Sequence, residues 1–377
     1  MYRTKVNEPI ETLDVVVVGA GQAGLAIGHH LARRRADFAL LDAGPEVGHA
    51  WRQRWDSLRL FSPAQFDSLP GLRFPAPPDS HPTKDDVAEY LAAYAAEFHL
   101  PVRLNTPVLR LHREEGAGHF VVTTPTGELR AKQVVVATGP FQTPLIPTIA
   151  EQLDPLVLQL HSSEYRNLGQ LPARSRVLVV GAANSGLQIA AELAGTCAVT
   201  VAVGSKPMEL PQRIAGRDLF FWLTKSGFFT MPAGGRLARR LRTRGDLVIG
   251  TSTAKLRRRG IDFQQRLTGF TDGAAHFADG TDMGVDAVVW ATGYRSDYSW
   301  LHVADVFEDD GQVRHQSGVT EVPGLYFLGL PWQTSRGSAL LGFVGADAAA
   351  LSERMVSDAA SMGPQRVGAE REERIRR

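Results

Sequence analysis

This chain predicts an α/β fold carrying two separate βαβ units. Three observations predict it. Two continuous apolar runs, Leu13 to Val18 and Val177 to Val180, each pass straight into a glycine-rich turn and then a helical pattern. Two later apolar runs end in the same three letters, Ala137-Thr138-Gly139 and Ala291-Thr292-Gly293. A length of 377 residues is enough for two or three domains of ordinary size.

The residues up to Glu11 read as a polar lead-in without the apolar core of a signal peptide. Leu13 to Val18 is the kind of strand buried on both faces of a parallel sheet. The turn Gly19-Ala20-Gly21-Gln22-Ala23-Gly24 follows, then a helix from Gln22 to Arg35, then a strand from Phe38 to Leu41 that ends at Asp42. Residues 44–83 are irregular, broken by many prolines and glycines, yet they carry Trp51, Trp55, Phe61, Phe66 and Phe74. Long irregular stretches of that kind are more often binding surfaces than linkers. Thr83 is the expected N-cap of a helix reaching Phe98, with Asp85 and Asp86 in its first turn. Short strands are expected at Val102 to Leu104, Val108 to His112 and His119 to Thr124, and a buried one at Gln133 to Ala137.

The second unit repeats the pattern. Its strand Val177 to Val180 leads into Gly181-Ala182-Ala183-Asn184-Ser185-Gly186, a helix to Leu193, and a strand from Val199 to Val203. Residues 207–260 are expected to be mainly helical and are basic, with Arg239, Arg240, Arg242, Arg244 and Arg257 to Arg259 read as solvated helix faces. A buried strand from Asp286 to Trp290, a short one at Tyr326 to Leu328, a closing helix from Gly337 to Met355 and a mobile tail from Pro364 complete the expectation.

Composition excludes several functions. Lys and Arg total 41 against 40 Asp and Glu, a net charge of +1, which removes the argument for a nucleic-acid partner. One cysteine, Cys197, excludes an intramolecular disulfide, a cysteine redox pair and a multi-cysteine metal site, so no metal is expected. No run approaches the roughly 20 apolar residues of a membrane span, and a reducing, cytoplasmic setting is expected. The apolar run Leu219 to Leu223 with Phe228 and Phe229 reads most simply as a buried helix. It also admits a substrate entrance, a homodimer face or a membrane-surface patch.

The glycine turns carry the chemistry. Gly19 allows the tight turn, Gly21 leaves room for a pyrophosphate against the backbone, and Gly24 lets the helix pack on the sheet. The N–H groups of Gln22, Ala23 and Gly24 open the helix and would face the phosphates. Asp42, 18 residues after Gly24, is placed for ribose hydroxyls. In the second turn Ala183 replaces the middle glycine, and its methyl is expected still to permit close approach but to crowd it. The following strand ends in Gly204-Ser205-Lys206 with no acid, so Ser205 and Lys206 suit a 2′-phosphate, with Arg213 as a further candidate. The alternative for Lys206 is a solvated surface lysine.

With both turns and both Ala-Thr-Gly strands in hand, the chain resembles a class B flavoprotein monooxygenase. It is similar to the flavin-containing monooxygenases and to bacterial CzcO-like flavoproteins over residues 13–355. Trp51-Arg52-Gln53-Arg54-Trp55, His161-Ser162-Ser163-Glu164-Tyr165, Gly216 to Trp222 and Gly329-Leu330-Pro331-Trp332 add to that resemblance. It implies two dinucleotide-binding domains of Rossmann type. The FAD domain would be residues 1–170 and 286–377, and an NADPH domain, 171–285, would be inserted into it. Carried over by position, Gly19, Gly21, Gln22, Ala23, Gly24, Asp42, Trp51, Arg52, Ala137, Thr138 and Gly139 would hold FAD. Gly181, Asn184, Ser185, Gly186, Ser205, Lys206, Ala291, Thr292 and Gly293 would hold NADPH.

The resemblance further implies an FAD- and NADPH-dependent monooxygenase that puts one oxygen atom of O2 into a small organic substrate through a flavin (hydro)peroxide. N- or S-oxygenation is favoured, because Pro155 and Val157 stand where the Baeyer–Villiger signature has Phe and Gly. Leu330 stands where many two-dinucleotide flavoproteins carry Asp, and the aromatic segment lacks the asparagine some members use, leaving Ser62, Gln65 or Asp67 as stand-ins. His161 is expected to be a hinge residue, and no catalytic side chain is assigned. An NADPH oxidase or reductase without oxygenation, and a non-catalytic redox sensor, are the alternatives.

Overall fold

The computed structural model describes residues 10–114, 118–242 and 247–361. The tail from Pro364, Arg244 and most of the polar lead-in lie outside the described residues.

Two sheets organise the chain. In the first, Val102–Arg103, Phe38–Leu41, Glu11–Val18 and Gly127–Val136 run parallel in that order. The long strand Gly127–Val136 then splits its edge. Its first half pairs antiparallel with Phe120–Thr124, and its last residues pair parallel with Leu325–Phe327. Arg110–Arg113 and Leu301–His302 complete this eight-stranded sheet. The second sheet is parallel throughout, in the order Asp262–Gln264, Ala198–Ala202, Arg176–Val180, Ala287–Trp290, Leu158–His161. Its two outer flanks in sequence, Leu158–His161 and Ala287–Trp290, lie outside the 171–285 span.

Val15, Val16 and Val17 are buried on both faces of the sheet, which is why that strand is an unbroken β-branched run. The helix Gln22–Arg33 turns Leu25, Ile27 and Leu31 inward, each burial contributing about 2 kcal/mol, and packs along the terminal helix Val344–Ser361. The helix Lys84–Glu97 starts at Thr83 with a reciprocal capping box to Asp86, as its sequence predicts.

Two expectations fail. Among the described residues of 207–260 there are three short helices, Leu219–Lys225, Arg236–Arg242 and Thr253–Arg258, between two-stranded pieces such as Met208–Leu210 with Leu247–Ile249. Pro207, Pro211 and Pro232, together with left-handed Gly216, Gly227 and Gly250, interrupt any longer helix. The closing helix begins at Val344, not Gly337. The preceding strap folds against the aromatic segment instead, and a Cβ on Gly342 would sit 1.6 Å from the Phe66 carbonyl oxygen.

The chain crosses between the sheets twice, and the crossings pair with each other. Thr143–Pro144 runs antiparallel to Tyr294–Arg295. Gln142 ties them further: its Nε2 donates to Thr138 Oγ1 and the Gly139 oxygen at 2.7 Å, and its Oε1 accepts from the Asp297 N–H at 2.8 Å. No helix among the described residues is long and apolar enough to cross a membrane.

Candidate active site

Both glycine turns are built alike. Gly19 has φ +102°, and a Cβ there would stand 2.7 Å from the Ala137 carbonyl oxygen. Gly181 has φ +115°, and its Cβ would stand 2.3 Å from the Ala291 oxygen. Each Ala-Thr-Gly strand therefore backs one glycine turn. The third glycines are equally constrained: a Cβ on Gly24 would lie 1.9 Å from the Gly19 oxygen, and one on Gly186 2.0 Å from the Gly181 oxygen.

Gly21 differs. Its backbone, φ −75° and ψ −168°, is open to any residue, and nothing lies within 4 Å of a Cβ built on it. Nothing inside the protein requires glycine there, and the space beside it is open. Ala183 takes the same backbone shape, φ −85° and ψ −175°, with its methyl exposed. Neither helix has an acid in its first turn or a side-chain cap, so their leading N–H groups are left for an anion. These cradles fit pyrophosphates.

Asp42 is half-buried and fixes the first turn from the next strand. Its Oδ2 accepts the Ala20 N–H at 2.7 Å and its Oδ1 the Gly44 N–H at 2.8 Å. A carboxylate has further lone pairs for ribose hydroxyls. Trp51 is half-buried against the core, while Arg52 pairs with Glu46 at 3.1 Å and approaches Asp85 at 3.9 Å. The strap after the last strand returns to the first turn. Gly329 would carry its Cβ 2.9 Å from Ala23 Cβ, and Gln22 Nε2 donates to the Ala339 oxygen at 2.8 Å.

In the second site Asn184 is half-buried and gives its amide to the Leu247 oxygen at 2.9 Å. Ser185 is half-buried beside it. Ser205 and Lys206 are exposed just past the strand Ala198–Ala202. Arg266, which sequence reasoning missed, reaches the same corner and donates to the Gly204 oxygen at 3.1 Å. Arg213 does not join them by any contact: it sits on a small hairpin, bonded to the Gly216 oxygen at 2.8 Å. Thr292 Oγ1 bonds the Leu145 oxygen.

Between the two turns lies a cluster at the crossings. Arg54 hydrogen-bonds Tyr294 and lies over the Phe141 and Tyr294 rings, at 5.7 and 5.2 Å. His161 is fully buried, edge-on to Tyr294 at 5.0 Å, with Nε2 3.0 Å from the Gly293 oxygen. Burial pulls its pKa down, so it stays a neutral donor to that carbonyl. Arg54 was visible within the Trp51 to Trp55 motif, but no spacing rule singled it out.

The aromatic segment and the helix Leu219–Lys225 meet. Phe61, Phe66, Phe228 and Phe343 pack on buried Phe220 and Phe229. Trp55 and Phe74 belong to the main core instead. In the 219–229 run Leu219, Phe220 and Phe229 are buried, whereas Trp222 stays 39% exposed, so the run is only partly a buried helix.

The model of the pyridine nucleotide-disulphide oxidoreductases matches residues 16–215, more than half of the chain. The chain belongs to that family. An uncharacterised CzcO-like oxidoreductase of Geobacillus kaustophilus is 45% identical over 89% of this chain and 96% of its own length. The rice (Oryza sativa subsp. indica) indole-3-pyruvate monooxygenase YUCCA8 is 31% identical over 88% of each chain. A flavin-containing monooxygenase of Stenotrophomonas maltophilia superposes with a TM-score of 0.78, at 30% identity, over 93% of this chain and all of its own. This family member is an oxidoreductase of the NAD(P)H-dependent flavin monooxygenase class, with FAD and NADPH as its cofactors. The chain carries a single cysteine, Cys197, and so holds no cysteine pair.

Proposed function

We propose that the first turn holds FAD, the second holds NADPH, and the enzyme transfers one oxygen atom of O2 to a soft nitrogen or sulfur centre in a small organic substrate. The duplicated cradle, Gly19 on Ala137 and Gly181 on Ala291, is the observation that carries this reading. The NADPH portion would comprise residues 171–285 together with the flanking strands Leu158–His161 and Ala287–Trp290 of its sheet, and the FAD portion the rest.

In this reading Gly21 and the N–H groups of Gln22, Ala23 and Gly24 take the FAD pyrophosphate, and Asp42 takes its ribose. Trp51 and Arg52 flank the nucleotide, and Ala137, Thr138 and Gly139 form the wall behind it. Gly181, Asn184, Ser185 and Gly186 take the NADPH pyrophosphate, backed by Ala291, Thr292 and Gly293. Ser205 and Lys206, with Arg266, take the 2′-phosphate. The chemistry supplied by the bound pair is hydride acceptance from NADPH and activation of O2. The protein's part is to orient the two nucleotides and to keep water out, which the Phe61, Phe66, Phe220 and Phe343 wall supports.

The absence of the Baeyer–Villiger signature residues at Pro155 and Val157 favours heteroatom oxygenation. The rice relative, named for indole-3-pyruvate, favours a second reading, oxidation next to a carbonyl. The test is an accounting experiment with NADPH and air. Methyl phenyl sulfide and an aryl 2-oxo acid serve as probes, and product and H2O2 are both counted. Sulfoxide matching NADPH consumption supports the first reading, and oxo-acid product the second. NADPH recovered wholly as H2O2 with both probes would overturn oxygenation.

A further inference from the structure

Charge is unevenly spread in this near-neutral chain. Residues 210–242 hold seven Lys and Arg against one acid, Asp218. All seven cations are exposed. Asp218 is 7% exposed and turned inward. Its carboxylate accepts the Phe220 N–H at 2.9 Å, capping the helix Leu219–Lys225, and the Gln212 amide at 2.7 Å. It therefore offsets little of the positive charge at the surface.

Large apolar side chains stand among these cations. Ile214 is 44% exposed and Trp222 39% exposed. The Trp222 indole N–H donates to the Ile214 oxygen at 2.9 Å, which ties the small hairpin Arg213–Ile214 and Arg217–Asp218 to the helix. With its one donor already used, the indole makes no polar demand on its surroundings. Arg217 lies over the Phe221 ring at 4.5 Å, Lys225 over the same ring at 5.8 Å, and Phe221 meets Trp222 edge-on at 5.2 Å. Two cations and an exposed tryptophan thus share one aromatic base. Phe220, about 200° round the helix from Trp222, is buried against Phe61 and Phe66. The next helix repeats the mixture: Leu237 is 60% exposed in a run of arginines.

Cations alone suit any polyanion, but exposed tryptophan and isoleucine beside them narrow the choice. Indole rings settle at the headgroup level of a bilayer, and basic side chains beside them reach anionic headgroups. Two exposed apolar side chains are few for a stable protein interface, which takes roughly 20–30 residues a side. We propose that the hairpin and helix around Ile214 and Trp222 are a docking face for an anionic lipid surface. Arg213, Arg217 and Lys225 meet the headgroups, while Ile214 and Trp222 enter the interface. The contact is peripheral and needs no spanning helix. It turns towards the lipid the helix whose opposite side builds the apolar wall of the candidate site. The proposal does not depend on which nucleotide fills either turn.

The experiment mixes the full-length flavoprotein with vesicles of phosphatidylcholine alone, or with an equal part of phosphatidylglycerol, and measures the fraction that sediments with lipid. Wild type should bind the mixed vesicles, spare the neutral ones, and be released by salt. Each basic residue at such a surface strengthens binding roughly fivefold, so Arg217→Gln with Lys225→Gln should weaken it about twentyfold. Trp222→Ser should weaken it several-fold without any change of charge, and Ile214→Ser repeats that test with the indole in place. Arg110→Gln with Arg113→Gln removes the same charge from exposed positions of the first sheet and should leave binding within about twofold of wild type. Unchanged FAD content and NADPH-driven flavin reduction in solution identify the variants that are folded. No sedimentation with mixed vesicles, or an equal loss in the first-sheet pair, overturns the proposal. Full binding in both Trp222→Ser and Ile214→Ser would leave only an ion-exchange surface and overturn the lipid assignment. Self-association without lipid, lost in the Arg217 and Lys225 pair, would give the face to a second copy of the chain and overturn it as well.

Discussion

The Ala137 carbonyl oxygen occupies the space a side chain on Gly19 would need, 2.7 Å from its Cβ position. Ala291 does the same to Gly181 at 2.3 Å. In each unit a crossing strand closes the floor under the glycine turn. The Ala-Thr-Gly repeats and the glycine turns are therefore two halves of one structure, made twice.

This geometry separates ligand glycines from folding glycines. Gly19→Ala and Gly24→Ala meet backbone atoms and should destabilise the fold, by about 2 kcal/mol or more. Gly21→Ala meets nothing, so stability should stay within about 1 kcal/mol of wild type while FAD retention falls. Urea unfolding of each variant, with bound flavin measured by absorbance, checks both halves. Full flavin retention in Gly21→Ala would show that the pyrophosphate does not use the open space at Gly21.

Asp42 should be needed twice, for the turn and for the ribose. Asp42→Ala strands the Ala20 and Gly44 N–H groups and should cost about 1–3 kcal/mol as well as loosen FAD. Asp42→Asn keeps acceptor oxygen on one side only and should fall between. Unchanged FAD retention in the alanine variant would count against the ribose role.

The second site should distinguish the two nicotinamide cofactors through charge. Lys206→Ala should raise the KM for NADPH roughly tenfold and leave NADH unchanged, and Arg266→Ala should act in the same direction. The measurement is the rate of FAD reduction at varied cofactor under anaerobic conditions. Equal effects on NADPH and NADH would defeat the 2′-phosphate assignment.

Asp67 makes a separate statement about stability. Its pKa is raised by burial, so the unfolded chain loses this proton near pH 4 while the folded chain keeps it to about pH 7. The folded state binds more protons across that window, and stability should fall as pH rises through it, by about 4 kcal/mol in all. Asp67→Asn should flatten this decline and be more stable than wild type at pH 8. Urea midpoints at pH 4, 6 and 8 check the sign.

What the sequence revealed was mostly periodic or punctuated. Val15 to Val18, Val177 to Val180 and the capping pair Thr83 and Asp86 declare themselves because burial on both faces and capping each demand particular residue types nearby. The strand Leu158–His161 does not, since only His161 of its four residues is buried and its place is set by pairing with Ala287–Trp290 far along the chain. Residues 337–343 look helical in composition, yet contact with Phe66 and Asp67 overrides local preference. Arg266 and Gln142 were invisible for the same reason: their partners, Gly204 and Asp297, are distant in sequence. Gly21 was legible as a motif letter, but only the empty space around it shows that the fold has no use for it.

The central claim is that two nucleotide cradles cooperate to move one oxygen atom. Isotopically labelled O2 tests it most directly, with FAD-loaded protein, NADPH and methyl phenyl sulfide. The account predicts one labelled atom in the sulfoxide for each NADPH consumed, with the other atom in water. Unlabelled sulfide and labelled H2O2 from a protein that retains FAD and is reduced by NADPH would contradict it.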